Sequence, residues 1–399
     1  MQIFLYRPLT WLTAFVIVFS LYAHTFLNVD SAVVTPLSAA AIAGGLSALS
    51  ALWFLRLRFA TVSTGSGIVA AFCLLTALGL AMISGVTGVA DRGLNLNDLG
   101  LLLVIVGVPV LVYCNSDRAE LLTALGWWCA AFALMDALAN GGAVIGLWHL
   151  QDAGARYTDA GRLERFGGLT GNSHASGIVA MIGVAYLARD GLRRRPAWAW
   201  AAMLGAILII GLSLVVIDAR RYLGGAALVA GLLMLPGARL VPLQFASAAL
   251  GASGMAFTWL TRDPEEFQRT ALMAAGWRDA AANILVGEGV RYKSLSGIGF
   301  NALWSSGVTE SGVLDLAIQF GWIATVLFIV GVLIALRGTR RVLPWPAVLL
   351  AVMFGQLPYI NLLGGFLGTV AFYAALVWII CDELPAARRA AGMPVPAQA

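Results

Sequence analysis

The residues able to do chemistry in this chain are mostly arginines, and they gather in three polar stretches set between long apolar runs. The first is Arg162-Leu163-Glu164-Arg165, which continues through Phe166-Gly167-Gly168-Leu169-Thr170-Gly171 into Asn172, Ser173 and His174. The second is Asp218-Ala219-Arg220-Arg221-Tyr222. The third and longest runs over about 261–311. It carries Arg262, Asp263, Glu265, Glu266, Arg269, Arg278, Asp279, Glu288, Arg291, Lys293 and Glu310, with Trp259, Trp277 and Trp304 beside or among them. Of 25 basic residues only Lys293 is a lysine. A guanidinium stays charged when partly buried and forks two N–H bonds onto a carboxylate or phosphate. This usage therefore points to an anionic ligand, with phosphate as the first candidate.

Each stretch has a chemical and a plain structural reading. In the first, three glycines allow close backbone approach, and Asn172 or Ser173 can cap the helix that follows. A helix N-terminus beside Arg165 is a ready anion site; the plain alternative is a capped loop with an Arg–Glu pair, and His174 reads more simply as a polar helix-start residue than as a catalyst. The second stretch joins two apolar runs with no Gly or Pro. A boundary arginine costs about 2.5–3.5 kcal/mol on insertion scales, which makes function the default reading of Arg220 and Arg221 and snorkelling the alternative. In the third, Phe267 to Ile284 sets Arg269, Trp277, Arg278 and Asp279 on a helical pattern that ends at a turn, Gly287-Glu288-Gly289. That is an amphipathic helix lying on a bilayer, either as an anchor or as a substrate contact, with Arg291 just beyond it. Glu310 opens the next apolar run, either capping a helix through its dipole or acting as general base for an acceptor hydroxyl. Asp315 lies one turn further on as an intramembrane alternative, and Asp136 sits inside an earlier apolar run, where it could pair with a helix neighbour.

The elements that position these residues are membrane helices. The chain has 399 residues, 60% of them hydrophobic and 11% charged, where soluble domains have about 25% charged. Apolar runs near the length of a bilayer crossing recur, and the short alternating strands of a barrel are absent. The fold class is thus an all-α polytopic membrane protein. About twelve spans are expected, near 9–28, 33–54, 67–87, 98–114, 121–148, 173–188, 197–217, 222–236, 240–260, 312–336, 343–358 and 361–380. The first run is too long for a signal-peptide core and should stay as a helix. The four cysteines, Cys73, Cys114, Cys129 and Cys381, lie in or beside apolar runs without a Cys-x-x-Cys pair, so neither a disulfide framework nor a metal site is expected.

Orientation follows from arginines in short loops. Arg7, Arg56, Arg58, Arg118, Arg189, Arg193, Arg194, Arg195, Arg239, Arg337, Arg340, Arg341, Arg388 and Arg389 all fall on one side if twelve spans are correct. That side is cytoplasmic, with both termini inside. The outer loops that hold Arg156, Arg162 and Arg165, then Arg220 and Arg221, then Arg262 to Lys293 break the insertion bias, which argues that a ligand requires their charge. The chain divides into N-terminal helices (1–150), core helices with the arginine motifs (151–260), a large outer loop between helices 9 and 10 (261–311), C-terminal helices (312–382) and a disordered cytoplasmic tail (383–399).

Over about 160–335 the order of motifs resembles the O-antigen ligase and polymerase superfamily. The residues that carry the resemblance are Arg165, Gly168 and Asn172 opening a helix; Arg220 at a helix boundary; Arg269, Trp277, Gly287 and Gly289 in a long loop; and Glu310 with Gly321. The resemblance implies a metal-independent membrane glycosyltransferase of GT-C-like fold in the bacterial inner membrane, without a cofactor, working on the periplasmic side. It implies an undecaprenyl-diphosphate-linked glycan as donor, a glycan as acceptor, the bilayer and a chain-length regulator as partners, and no nucleic acid. Arg165 and Arg220 would hold the diphosphate, with Arg162 beside them and Arg221 able to take the Arg220 role. Asn172, His174, Arg269, Arg278 and Arg291 would be substrate contacts, and Glu310 the base. Ligases of this family carry a His-Asn pair where Glu310 and Ser311 stand here, a departure that favours a polymerase over a ligase or a protein O-oligosaccharyltransferase. A flippase or transporter is the reading from another class.

Overall fold

The computed structural model describes residues 3–19, 22, 65–92, 118–145, 147, 156–157, 163–165, 169–170, 173–188, 196–216, 222, 224–227, 240–260, 264–289, 311–338, 345–359, 372 and 376. The helices are α1 (Ile3–Phe19), α2 (Gly65–Arg92), α3 (Arg118–Val144), α4 (Ser173–Tyr186), α5 (Ala197–Val216), α6 (Leu240–Leu260), α7 (Pro264–Ala282), α8 (Gly312–Phe320), α9 (Trp322–Gly338) and α10 (Trp345–Gln356). Three of them contain stretches long and apolar enough to cross a membrane: Ile68–Thr87, Glu120–Val144 and Ala197–Val216. Shorter apolar helices accompany them at Thr10–Phe19, Ala175–Tyr186, Trp322–Leu336 and Trp345–Gln356. In a bilayer every backbone polar group must be paired within the protein, and these runs satisfy that as helices. The architecture is that of a helical membrane protein. The expected spans at 33–54 and 98–114 lie outside the described residues, as do the tail and all but Phe372 and Leu376 of the span at 361–380.

Helix α4 is the centre of the bundle. Every residue from Ser176 to Ala188 is buried, against α3, α5 and α10. Close approach depends on small residues: a Cβ at Gly183 would stand 2.8 Å from the Ala130 Cα of α3. α1 is pinned to α3 by Phe15 edge-on to Trp128 at 4.8 Å and by the Trp11 indole N–H donating to Glu120 at 2.7 Å. On the periphery, α5 leaves Leu204, Leu208 and Leu212 exposed on one stripe, and α2 leaves Ile68, Phe72, Leu75, Met82 and Val86. Apolar residues exposed at helical spacing on a bundle of this kind face lipid.

Two features differ from the sequence expectation. The run at 312–336 is not one helix. It breaks at Gly321, whose φ of 88° is left-handed, and a Cβ there would stand 2.9 Å from the Leu285 carbonyl oxygen. Residues 283–289 are docked into the break instead of forming a free turn at Gly287-Glu288-Gly289. The last carbonyls of α8 accept from this segment, Glu288 N–H to Ile318 at 2.8 Å and Gly289 N–H to Gln319 at 3.0 Å. The first N–H groups of α9 donate to it, Trp322 to Asn283 at 3.0 Å and Ile323 to Ile284 at 3.1 Å. Groups that a helix end leaves unpaired are thereby satisfied from one segment.

The second difference lies in the charged loop before α4, which contains a two-stranded antiparallel hairpin, β1 (Arg156–Tyr157) with β2 (Leu163–Arg165). The amphipathic helix expected at 267–284 is present as α7, opened by Pro264, a residue suited to the first helical position. It rests on protein as well as facing outward. Ala275 and Ala280 pack against Leu314, Ala317 and Ile318 of α8, while Trp277 is exposed and stacked on Trp322 at 5.6 Å.

Ser84 of α2 closes the docked segment from behind. Its hydroxyl oxygen accepts from the Gly287 N–H at 3.0 Å, and its proton lies between the carbonyls of Leu80 (3.1 Å) and Phe320 (3.3 Å). Ser84→Ala leaves the buried Gly287 N–H unpaired and should cost about 1–3 kcal/mol. Thermal unfolding of the detergent-purified protein would register this as a clear fall in Tm, and an unchanged Tm would show the bond to be dispensable.

Candidate functional site

Of the candidate residues, Arg165 ends β2, its Cα paired with that of Arg156. His174 is the second residue of α4, and Arg269 lies on α7. Arg278 is exposed on α7. Arg162, Asn172, Arg220, Arg221, Arg291 and Glu310 lie outside the described residues. Described residues close to several of them in the chain show where the described parts of those segments are attached.

Four residues after Arg165, the Leu169 N–H donates to the Asp136 carboxyl of α3 at 2.7 Å. The neighbouring Thr170 hydroxyl bonds the Ser176 hydroxyl at 2.9 Å, which ties the loop to the first turn of α4. Directly after Arg221, the buried Tyr222 lays its ring on Gly177 of α4, where a Cβ would collide with it. One turn further, Gly225 leaves room for two neighbours: a Cβ there would stand 3.1 Å from the Met181 sulfur of α4 and 3.3 Å from the Gln356 Nε2 of α10. Directly after Glu310, Ser311 caps α8 by accepting from the Leu314 N–H at 3.4 Å, and the Gly312 N–H donates to the Leu357 carbonyl at 2.9 Å.

The first turn of α4, the start of the segment at Tyr222, the last turn of α10 and the N-terminus of α8 therefore meet at one end of the bundle. Both α4 and α8 present their N-termini there, and these favour negative charge. The cap that a carboxylate at 310 would have supplied belongs to Ser311. Asp315 is buried inside α8 with its Oδ2 accepting from the Gln319 amide at 2.8 Å, and the Gln319 carbonyl in turn takes the Gly289 N–H. It serves the seam between α8 and the docked segment. Asp136 pairs with a helix neighbour as expected, accepting from the Asn140 amide at 3.4 Å.

Sequence reasoning missed Tyr222, Gly177, Gln356, Ser84 and Gly321 as the residues that join these segments. The one signal in the sequence was that Gln356 is a lone polar residue inside an apolar run. Set against known protein families, curated proteins and solved structures, the chain has no match.

Proposed function

We propose that the chain is a metal-independent membrane glycosyltransferase of GT-C-like architecture with about twelve spans. On this reading it joins undecaprenyl-diphosphate-linked oligosaccharide repeats into O-antigen, capsule or exopolysaccharide at the periplasmic face of the bacterial inner membrane. The observation that carries this reading is the convergence at one end of the bundle of three anchors: Leu169–Thr170, Tyr222 and Ser311. Each directly follows, or lies within four residues of, a segment that bears a candidate charge.

The chemistry needs those three segments together. An acceptor hydroxyl oxygen attacks the anomeric carbon of the donor sugar, and Glu310 takes the hydroxyl proton. The bond from that carbon to the diphosphate breaks, and the diphosphate leaves with its added charge held by Arg165 and Arg220, assisted by Arg162 and Arg221.

A second reading, a flippase for the same lipid-linked glycan, is favoured by the break at Gly321, because transporters build their sites on discontinuous helices. Against it, α9 continues for 17 residues beyond the break. That is about 25 Å of rise, most of a hydrocarbon core of about 30 Å. If α9 crosses the hydrocarbon core, a break at its start falls toward one membrane boundary and away from the midplane where transport sites lie.

Glycan length in cells carrying Glu310→Gln separates the readings. Single lipid-linked repeats accumulating on the periplasmic side are the expected result and mark a polymerase. Long lipid-linked chains left unattached would mark a ligase, and repeats held on the cytoplasmic side a flippase. An unchanged pattern would remove Glu310 from the site.

A further inference from the structure

We propose that Asp136 and Asn140, one turn apart on α3, are positioning residues that bracket the end of the loop before α4 and the end of α5, two described points that lie close in the chain to Arg165 on one side and Arg220 on the other. Only the expected effect on turnover rests on the function proposed above; the bracket itself stands on the geometry.

Both side chains are fully inside the bundle, at 4% and 0% exposure. The Asp136 Oδ1 accepts from the Leu169 N–H at 2.7 Å and from the Asn140 amide at 3.4 Å, and Ser176 of α4 also bonds the carboxyl. The same Asn140 amide nitrogen donates to the Ser213 hydroxyl of α5 at 2.9 Å. One pair on α3 thus ties together the loop before α4, the first turn of α4 and the end of α5. Leu169 lies four residues after Arg165, and Ser213 lies seven residues before Arg220. A chain of four extended residues reaches at most about 14 Å, so the anchor at Leu169 confines Arg165 closely. Ser213 is itself on α5, which stays helical to Val216 and leaves only a short tether to Arg220.

An apolar pair of similar volume would fill this space at lower cost, because buried polar groups in a membrane bundle are expensive unless fully paired. The neighbours Phe132, Ala133 and Ala137 show that the α3 core accepts apolar side chains at this level. The network instead runs outward from α3 to the two segments, which is the pattern of groups kept for geometry.

Hydrogen exchange of the full chain in lipid nanodiscs, read by peptide mass, tests the bracket. Asp136→Leu should speed exchange about tenfold or more in 163–172 and Asn140→Leu in 213–222, while the α4 core at 178–186 stays protected in both. Asp136→Asn keeps an acceptor oxygen for Leu169 and should restore near-wild-type protection. Ser213→Ala, a mild change if the leucine variants fail to fold, cuts one arm alone and should loosen 213–222 but not 163–172. Unchanged exchange at 213–222 in Ser213→Ala, or loosening of α2 and α9 along with the two segments, would overturn the bracket. Chain extension should fall on the order of 100-fold in the leucine variants and survive in Asp136→Asn. Loosened segments with undiminished chain extension would keep the bracket and overturn the assignment of the arginines to the site.

Discussion

Replacing Arg165 or Arg220 by alanine is expected to abolish chain extension while the protein still reaches the membrane folded. The two halves of this expectation have separate causes. Among the described residues the core that holds the bundle together is apolar, built from α1, α2, α3, α4, α5, α9 and α10 with Tyr222, and a charged guanidinium is expected in a polar segment outside such a core. Stability should therefore move little, as for substitutions away from packed positions. The chemical step is another matter. On the proposed function, negative charge would grow on the diphosphate as its bond to the sugar breaks. A fixed cation there stabilises the transition state more than the ground state, and removing one such group costs about 10²- to 10³-fold in rate. Lysine should rescue poorly, because a point charge cannot reproduce the forked guanidinium contact. Arg221→Ala belongs in the same series, since it adjoins Arg220 and the described anchor at Tyr222 directly follows both. The readout is polymer length on a gel, alongside the yield of monodisperse protein. Normal polymer from the Arg165 and Arg220 variants would remove the diphosphate role.

The parts of this fold that were legible in the sequence are those set by local composition. The expected span at 240–260 coincides with α6, Leu240–Leu260, and that at 197–217 is within a residue of α5, because twenty apolar residues between polar ends have one favourable state in a bilayer. α7 was legible from its mixed pattern, though not its start at Pro264, three residues before the expected Phe267. The break at Gly321 was not. The residues on either side, Ile318 to Phe320 and Trp322 to Ala324, are apolar but for Gln319 and read as one run. What opens it is a partner more than thirty residues upstream, at 283–289, and tertiary hydrogen bonds of that kind leave no periodic trace. The hairpin at 156–165 escaped for a related reason, since two- and three-residue strands carry too little pattern to register. For the site, charge type singled out three segments of chain, but not what joins the residues around them. Tyr222 on Gly177, and Gln356 beside Gly225, are contacts between helices whose sequences give no sign of each other.

Gly287→Ala is expected to be the most damaging single-methyl change among the described glycines, and the reason lies in what its Cβ would meet. The new carbon would overlap the backbone of Gln319 and Phe320, the last residues of α8 before the break. Backbone cannot swing aside as a long side chain can, so either residues 283–289 leave the break or α8 moves away from it. If the segment leaves, the bonds from Glu288 and Gly289 to α8 go, together with those from Trp322 and Ile323 and the Gly287–Ser84 bond. At roughly 1 kcal/mol net for each bond, the loss is several kcal/mol, a large part of the 5–15 kcal/mol typical of a folded domain. If α8 moves instead, the Gly312–Leu357 bond that seats its N-terminus is strained, and Ser311 shifts with Glu310 directly before it. On the proposed function, both routes should end chain extension. Gly205→Ala supplies the comparison, because its Cβ would enter open space on α5. Alanine in a helix interior is favoured over glycine by about 0.5–1 kcal/mol, so this variant should match or exceed wild-type Tm. Equal Tm values for Gly287→Ala and Gly205→Ala would mean that 283–289 does not sit in the break. A large gap between them would tie the seating of α8, and with it the placement of Glu310, to a segment that enters the fold from the outer loop.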